Sequence, residues 1–325
     1  MTKILIIRFS SIGDIVLSTP VIRCLHEQIP DAEIHYLTKE KFNKVLQANP
    51  YISKIHLFRD ELNTVIHSLK KEGFDFIVDL HKNLRSLRVK MALGKTSASF
   101  DKLNYEKWLL VNFKINRLPE KHIVDRYFEA VKKFNVTNDG KGLEYFIPSE
   151  DSLITSDLVD FPEGFVALVT GGMHNTKMLP EERIVELCKA ISKPIVLLGG
   201  TDDQLKAERI ISALDKNVFN ACGRFNINQS AAIIKMADKV ITHDTGLMHI
   251  AAAFKKEIYS LWGNTIPGFG MYPYLPDGEG KSVIIQVDGL SCRPCSKIGY
   301  SKCPQKHFKC MNDIPLNELA KMINE

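Results

Sequence analysis

No apolar run in this 325-residue chain reaches the length of a membrane-spanning helix, about 20 residues, so helical membrane insertion is not expected. No G-x-G-x-x-G stretch follows a strand-like run, which removes the fingerprint of a dinucleotide-dependent dehydrogenase. No Asp-x-Asp pair is present to hold a divalent cation. No nucleic-acid-binding module, short repeat or low-complexity tract can be read. The chain opens directly on an apolar strand, with Arg8 and Asp14 flanking its end, so no secretory leader is expected. In the cytosolic setting this implies, the seven cysteines are not expected to pair as disulfides.

What is present is enough apolar residue, 45%, to fill full cores. The length suits one large domain or two ordinary ones. Apolar runs alternate with helical segments throughout. After the first, candidate strands lie at 33–38, 54–58, 75–80 and 96–100, then at 165–169, 194–198, 218–222, 239–243, 257–262 and 282–287. Such alternation predicts an α/β fold with parallel sheets. The polar stretch from Thr137 to Pro162 is the expected domain boundary, with Asn138-Asp139-Gly140-Lys141-Gly142 its loosest part.

The first strand, Lys3 to Phe9, runs into Ser10-Ser11-Ile12-Gly13-Asp14. Ser10, Ser11 and Gly13 turn the chain. A helix is expected from near Asp14 through Val21, Leu25 and Ile29. One carboxylate therefore sits at the carboxyl end of a strand, where open α/β sheets bind ligands. It would repel a phosphate placed against it, so a base for a substrate hydroxyl is a better use. A residue that merely favours a helix N-terminus is the alternative.

Three loops in the second half share that placement. Strand 239–243 enters Asp244-Thr245-Gly246-Leu247-Met248-His249. Thr245 and Gly246 present free N–H groups at a helix start, a natural anion site, and His249 follows one turn on. A capped helix with a core histidine is the plain alternative. Strand 165–169 enters a loop with Thr170 and Lys177, suited to a diphosphate, although a solvated lysine is common. Strand 194–198 ends in Gly199-Gly200-Thr201-Asp202, where Asp202 could grip ribose hydroxyls or cap a helix.

Together these pieces resemble the ADP-heptose:lipopolysaccharide heptosyltransferases, glycosyltransferase family 9. The resemblance rests on Arg8 to Asp14, on His243 to His249, on the order of the other loops, and on the tail Cys303-Pro304-Gln305-Lys306-His307-Phe308-Lys309-Cys310. It implies a GT-B fold: two Rossmann-like, doubly wound parallel-sheet domains facing across a cleft. Residues 1–150 would bind the acceptor and 151–325 the nucleotide-sugar, with the last helix, Pro315–Asn324, packing back across the domains. By the same resemblance Asp14 is the general base. Thr170, Lys177, Asp244, Thr245, Gly246, Leu247 and His249 surround the donor diphosphate, Asp202 the ribose and Phe225 the adenine. Ser10, Ser11, Gly13, Lys82 and Arg85 are the acceptor-side candidates. The loop from Thr170 to Lys177 departs from the family's Thr-Thr donor loop, which bears on the sugar more than on the nucleotide. The implied reaction moves heptose from ADP-heptose to an inner-core sugar hydroxyl with inversion, without metal or cofactor. A different nucleotide-sugar or acceptor, or binding without catalysis, are the competing readings.

Charge is unevenly divided: residues 1–150 carry 24 Lys and Arg against 18 Asp and Glu, whereas 151–325 carry 19 against 20. The basic excess, with Lys82 and Arg85 after a strand end, fits an anionic glycolipid acceptor and a peripheral hold on the cytoplasmic face of the inner membrane. A solvated helix face is the alternative. Cys292, Cys295, Cys303 and Cys310 could ligate zinc, but the spacing does not repeat, and packed or redox-sensitive thiols fit as well. Cys24, Cys188 and Cys222 read as core.

Overall fold

The computed structural model describes residues 2–59, 61–153, 164–215 and 218–325. The end of the expected boundary stretch, 154–163, lies outside them. The described chain sorts into two compact units: residues 1–102 with 121–148, and 103–120 with 149–325.

In the first unit β1 (Thr2–Ile7) leads to α1 (Ile12–Val16) and α2 (Thr19–Gln28). There follow β2 (Ala32–Lys39), β3 (Lys54–Phe58), α3 (Leu62–Lys70), β4 (Phe76–Asp79), α4 (Leu84–Leu93) and β5 (Ser97–Ser99). The strands are parallel in the order β3-β2-β1-β4-β5. β1 is central, and Ile4 to Ile7 are fully buried, as a continuous apolar run in a two-sided sheet requires. The chain then supplies α5 (Asn104–Phe113) to the other unit and returns with α6 (Ile123–Phe128).

The expected single helix after β1 is two helices. The break falls at Leu17-Ser18. Pro20 lies at the start of α2 and has no N–H to offer the carbonyl of Val16. The Thr19 hydroxyl donates to that carbonyl instead, at 2.7 Å, and the Ser18 hydroxyl donates to Ile15 O at 2.6 Å.

In the second unit β6 (Val166–Val169), α7 (Glu181–Ala190), β7 (Ile195–Leu198), α8 (Gln204–Ser212), β8 (Val218–Asn220), α9 (Ile227–Met236) and β9 (Lys239–His243) alternate in order. They are followed by α10 (Gly246–Ala253), β10 (Glu257–Trp262), β11 (Lys281–Gln286), α11 (Lys309–Asn312) and α12 (Leu316–Asn324). The parallel order is β11-β10-β9-β6-β7-β8. The last helix contributes to the core of the second unit. Leu316, Leu319, Ala320 and Ile323 join the core with Ile184, Leu187 and Ile191.

Both strand orders run outward from a first strand, reverse, and continue on its other side. That is the doubly wound Rossmann pattern. Its switch points fall between β1 and β4 in one unit and between β6 and β9 in the other. Ligands in such sheets bind beyond the carboxyl ends of those strands.

Candidate active site

At the first switch point the chain turns from β1 into α1, and Asp14 lies in the first turn of that helix. Its Oδ2 accepts the Ser11 N–H at 2.9 Å and the Ser11 hydroxyl at 2.8 Å. Its Oδ1 pairs with Arg8 Nη2 at 2.5 Å. Arg8 is buried; its Nε donates to Ser10 O at 2.8 Å and its Nη1 donates to Leu80 O. One guanidinium thus ties the loop after β1 to the loop after β4. Burial opposes the charge on Asp14, but Arg8 and the two Ser11 donors outweigh it, and the carboxyl is held below the ordinary carboxylate range. Burial likewise opposes the Arg8 charge, yet Asp14 beside it drives the guanidinium pKa up.

His81 faces the same group. Its ring lies 4.7 Å from that of Phe9, centroid to centroid. Burial, and then Arg8, push its pKa down to about 4, so it is neutral. Its buried Nδ1 has no hydrogen-bond partner among the described residues. Asp79 fixes the turn that follows: Oδ1 accepts the N–H groups of His81 and Lys82 at 3.0 and 2.7 Å, and Oδ2 accepts the Ser86 hydroxyl at 2.8 Å. Lys82 and Arg85 are exposed. Ser10 is half-buried, Ser11 exposed and Gly13 buried.

At the second switch point the loops after β6 and β9 meet. Lys177 Nζ pairs with Asp244 Oδ2 at 2.6 Å, and the Thr265 hydroxyl, after β10, donates to the same oxygen at 3.0 Å. Both partners of the ion pair are largely buried, 17% and 12% exposed at the side chain. A methyl added to Gly172 would touch Met178 and Thr245, so this loop crosses close to the start of α10. Thr245 is the N-cap of α10 in extended conformation, and its hydroxyl does not cap the helix. The first N–H groups of α10 have no acceptor within the helix. Thr245 to Leu247 are partly exposed, whereas Met248 and His249 are buried.

The remaining candidates take varied places. Thr170 is buried, and its hydroxyl donates back to Leu198 O at 3.3 Å. Asp202 is exposed, while its neighbour Asp203 fixes the turn by accepting the Gly200 N–H at 2.9 Å. That turn needs glycine at 171, where a methyl would lie 2.1 Å from Asp203. Phe225 is half-buried after β8, with the Arg224 guanidinium 5.8 Å from its ring centre.

Arg8, His81 and Thr265 take part in these arrangements although the sequence reading gave them no role. Arg8 stood within the quoted motif, but its two anchoring carbonyls are set by tertiary structure. Thr265 lies 21 residues from its partner Asp244, on the neighbouring strand end.

The cysteines are all free. Cys292 Sγ lies 3.9 Å from His307 Nε2, and burial pushes the Cys295 and Cys310 thiols up to about 11 and 12. Such thiols stay protonated at neutral pH and are poor nucleophiles. Among the described residues, the set whose ligand atoms converge within 4.8 Å is His35, His56 and Glu72. His35 Nδ1 and His56 Nε2 share a hydrogen bond at 2.9 Å, and Lys54 pairs with Glu72 at 2.5 Å. These contacts already satisfy the cluster.

Two doubly wound parallel sheets, each with charged groups at its switch point, are the architecture of the GT-B glycosyltransferases. The chain belongs to glycosyltransferase family 9, the heptosyltransferases, whose model matches residues 63–302. Lipopolysaccharide heptosyltransferase 1 of Campylobacter coli is 24% identical over 296 residues, covering 81% of this chain and 84% of that one. A family 9 glycosyltransferase structure from Veillonella parvula superposes with a TM-score of 0.76 at 20% identity, covering 98% of this chain and 95% of that one. An Escherichia coli heptosyltransferase solved with ADP-2-deoxy-2-fluoro heptose gives 0.69 at 17% identity, covering 99% of each chain.

Proposed function

We propose that this enzyme transfers heptose from ADP-heptose to a hydroxyl of a lipopolysaccharide inner-core sugar, with inversion. The observation that carries the reading is the Arg8–Asp14–Ser11 arrangement: a carboxylate kept ionised, and pinned, at the switch point of the first sheet. A depressed pKa makes Asp14 a weak base toward a resting hydroxyl. Attack on the anomeric carbon makes that hydroxyl strongly acidic, and an ionised Asp14 takes its proton late in bond formation. His81, neutral beside the Arg8–Asp14 pair, adds no second positive charge to compete for the carboxylate.

Bond cleavage leaves charge on ADP. Lys177 and the first N–H groups of α10, from Thr245, Gly246 and Leu247, supply fixed positive ends for it. Asp244 is better suited to aiming Lys177, with Thr265, than to meeting phosphate, because a carboxylate repels one. Asp202, exposed beside a fixed turn, fits ribose hydroxyls, and Phe225 offers a ring to adenine. Lys82 and Arg85 fit the anionic groups of a glycolipid, which calls for peripheral work at the cytoplasmic face of the inner membrane.

The test is mass spectrometry of the purified protein with a panel of nucleotide-sugars and a deep-truncated core glycolipid. Addition of one heptose from ADP-heptose alone is the expected product. Transfer from another donor would favour the second reading, a related glycosyltransferase. The observation behind that reading is the donor loop Met173-His174-Asn175, with Met173 85% exposed, in place of a Thr-Thr pair.

A further inference from the structure

α4 leaves an apolar stripe uncovered. Leu84, Leu87 and Met91 recur at i, i+3 and i+7 and are 84%, 45% and 74% exposed. At 3.6 residues per turn they share one face. The opposite face is occupied: Ser86 and Val89 are buried, and Ala92 and Leu93 pack on the core of the first unit.

The charge around the stripe has one sign. Residues 80–100 hold five Lys and Arg and no Asp or Glu. Arg88 donates to Asn63 Oδ1 at 2.8 Å, and Lys90 pairs with Asp79 at 3.0 Å. Lys82, Arg85 and Lys95 have no side-chain partner among the described residues, and all three are exposed. Arg85 sits in the first turn of α4, where the helix dipole disfavours a cation unless an anion is near.

We propose that this face of α4 docks on the surface of an anionic lipid bilayer, with Leu84, Leu87 and Met91 entering the interface and Lys82, Arg85 and Lys95 meeting headgroup phosphates. The inference rests on the reading of the acceptor as a membrane-held glycolipid. Unbranched or γ-branched apolar side chains, flanked by cations, make the pattern of an interfacial amphipathic helix. A ten-residue helix is about 15 Å long, and one such stripe is far below the roughly 800 Å² per partner of a stable protein interface. Nucleic acid would use the cations but gains nothing from the aliphatic stripe.

The position suits the chemistry. Arg8 joins Asp14 to the carbonyl of Leu80, four residues before Leu84. At no more than about 3.6 Å per residue, the start of the stripe lies within roughly 15 Å of that carbonyl along the chain. A bilayer held on this helix would present headgroup sugars near the proposed base.

The test uses the full chain and the double variant Leu84→Glu with Met91→Glu, neither residue being placed in the reaction. Flotation is measured with vesicles of phosphatidylethanolamine and phosphatidylglycerol, and with phosphatidylcholine alone. Wild type should float with the anionic vesicles only, and the double variant should lose at least about tenfold in partitioning. Turnover on a soluble, delipidated acceptor should be unchanged in the variant, while turnover on vesicle-embedded acceptor should fall. Matching melting curves check that the variant folds. Absent flotation of wild type, or equal flotation of the variant, overturns the proposal. So does a wild-type dimer by light scattering that the variant abolishes, which would assign the stripe to a second copy. Flotation lost in the variant, with no transferase activity in wild type, would sink the reading of function and leave the docking face standing.

Discussion

At the residue scale the decisive question is what Asp14 does with its second oxygen. Oδ2 serves the helix start through Ser11, which any capping residue would do, whereas Oδ1 is held by a buried arginine. Asp14→Asn keeps the size and can still bond Ser11, but it cannot take a proton. Turnover should fall on the order of 10²-fold or more, with ADP affinity nearly intact. Near-normal turnover in that variant, measured with a confirmed donor and acceptor, would end the assignment as base. Lys177→Ala should act on the other partner: ADP affinity by calorimetry should drop about tenfold to a hundredfold, the usual worth of a charge-assisted hydrogen bond. Unchanged affinity would remove the loop after β6 from the donor site. The place of Asp14, in the turn after β1, was legible in the sequence because an apolar strand followed by a serine turn is a local signal. Its tuning was not. Arg8 reads as an unremarkable basic residue until the fold brings Leu80 O to its other end.

At the element scale the central strands were the most legible, because parallel strands buried on both faces are written as unbroken apolar runs, as in β1, β6 and β7, whereas edge strand β5 is Ser97-Ala98-Ser99 and only partly covered. The helix after β1 was less so, since the pattern of apolar residues continues through a break made by hydroxyls and Pro20. The expected loose stretch 138–142 is in fact fastened. Buried Arg23 on α2 donates to both oxygens of Asp139 at 2.8 Å and pairs with Glu144 at 2.7 Å. No local signal could have shown this, because the partners are more than a hundred residues apart. The Arg23 bonds outweigh burial and bring the Asp139 carboxyl down to about 2. An unfolded aspartate titrates near about 3.9, so the lowered folded value adds stability above that pH, and it is lost as pH falls toward about 2. Asp139→Asn should lower the urea midpoint at pH 7, and its gap to wild type should close between about pH 4 and pH 2. A gap that persists undiminished at pH 2 would assign the loss to packing instead of to charge.

At the scale of the whole molecule, two parallel-sheet units were legible from the alternation of apolar runs and helical segments. The excursion of residues 103–120 into the second unit was not, because α5 has the composition of any half-buried helix. The largest claim at this scale concerns charge. A departing ADP must be met by positive ends supplied from somewhere, and the sequence offers no Asp-x-Asp pair to import a divalent cation for the purpose. In the proposed reaction the second unit instead supplies Lys177, held by Asp244, which also accepts from Thr265, and the start of α10, whose first N–H groups have no acceptor within the helix. On that proposal they are in place before the bond breaks, so little solvent or ion reorganisation accompanies the step. Turnover should therefore persist in EDTA at concentrations that strip loosely held divalent ions, and added magnesium or manganese should change it less than about twofold. Lys177→Ala should lose turnover beyond its loss of ADP affinity, because the charge it meets is larger in the transition state than in bound donor. Complete loss of wild-type turnover in EDTA, restored by magnesium or manganese, would overturn the claim and send the leaving-group charge to a metal.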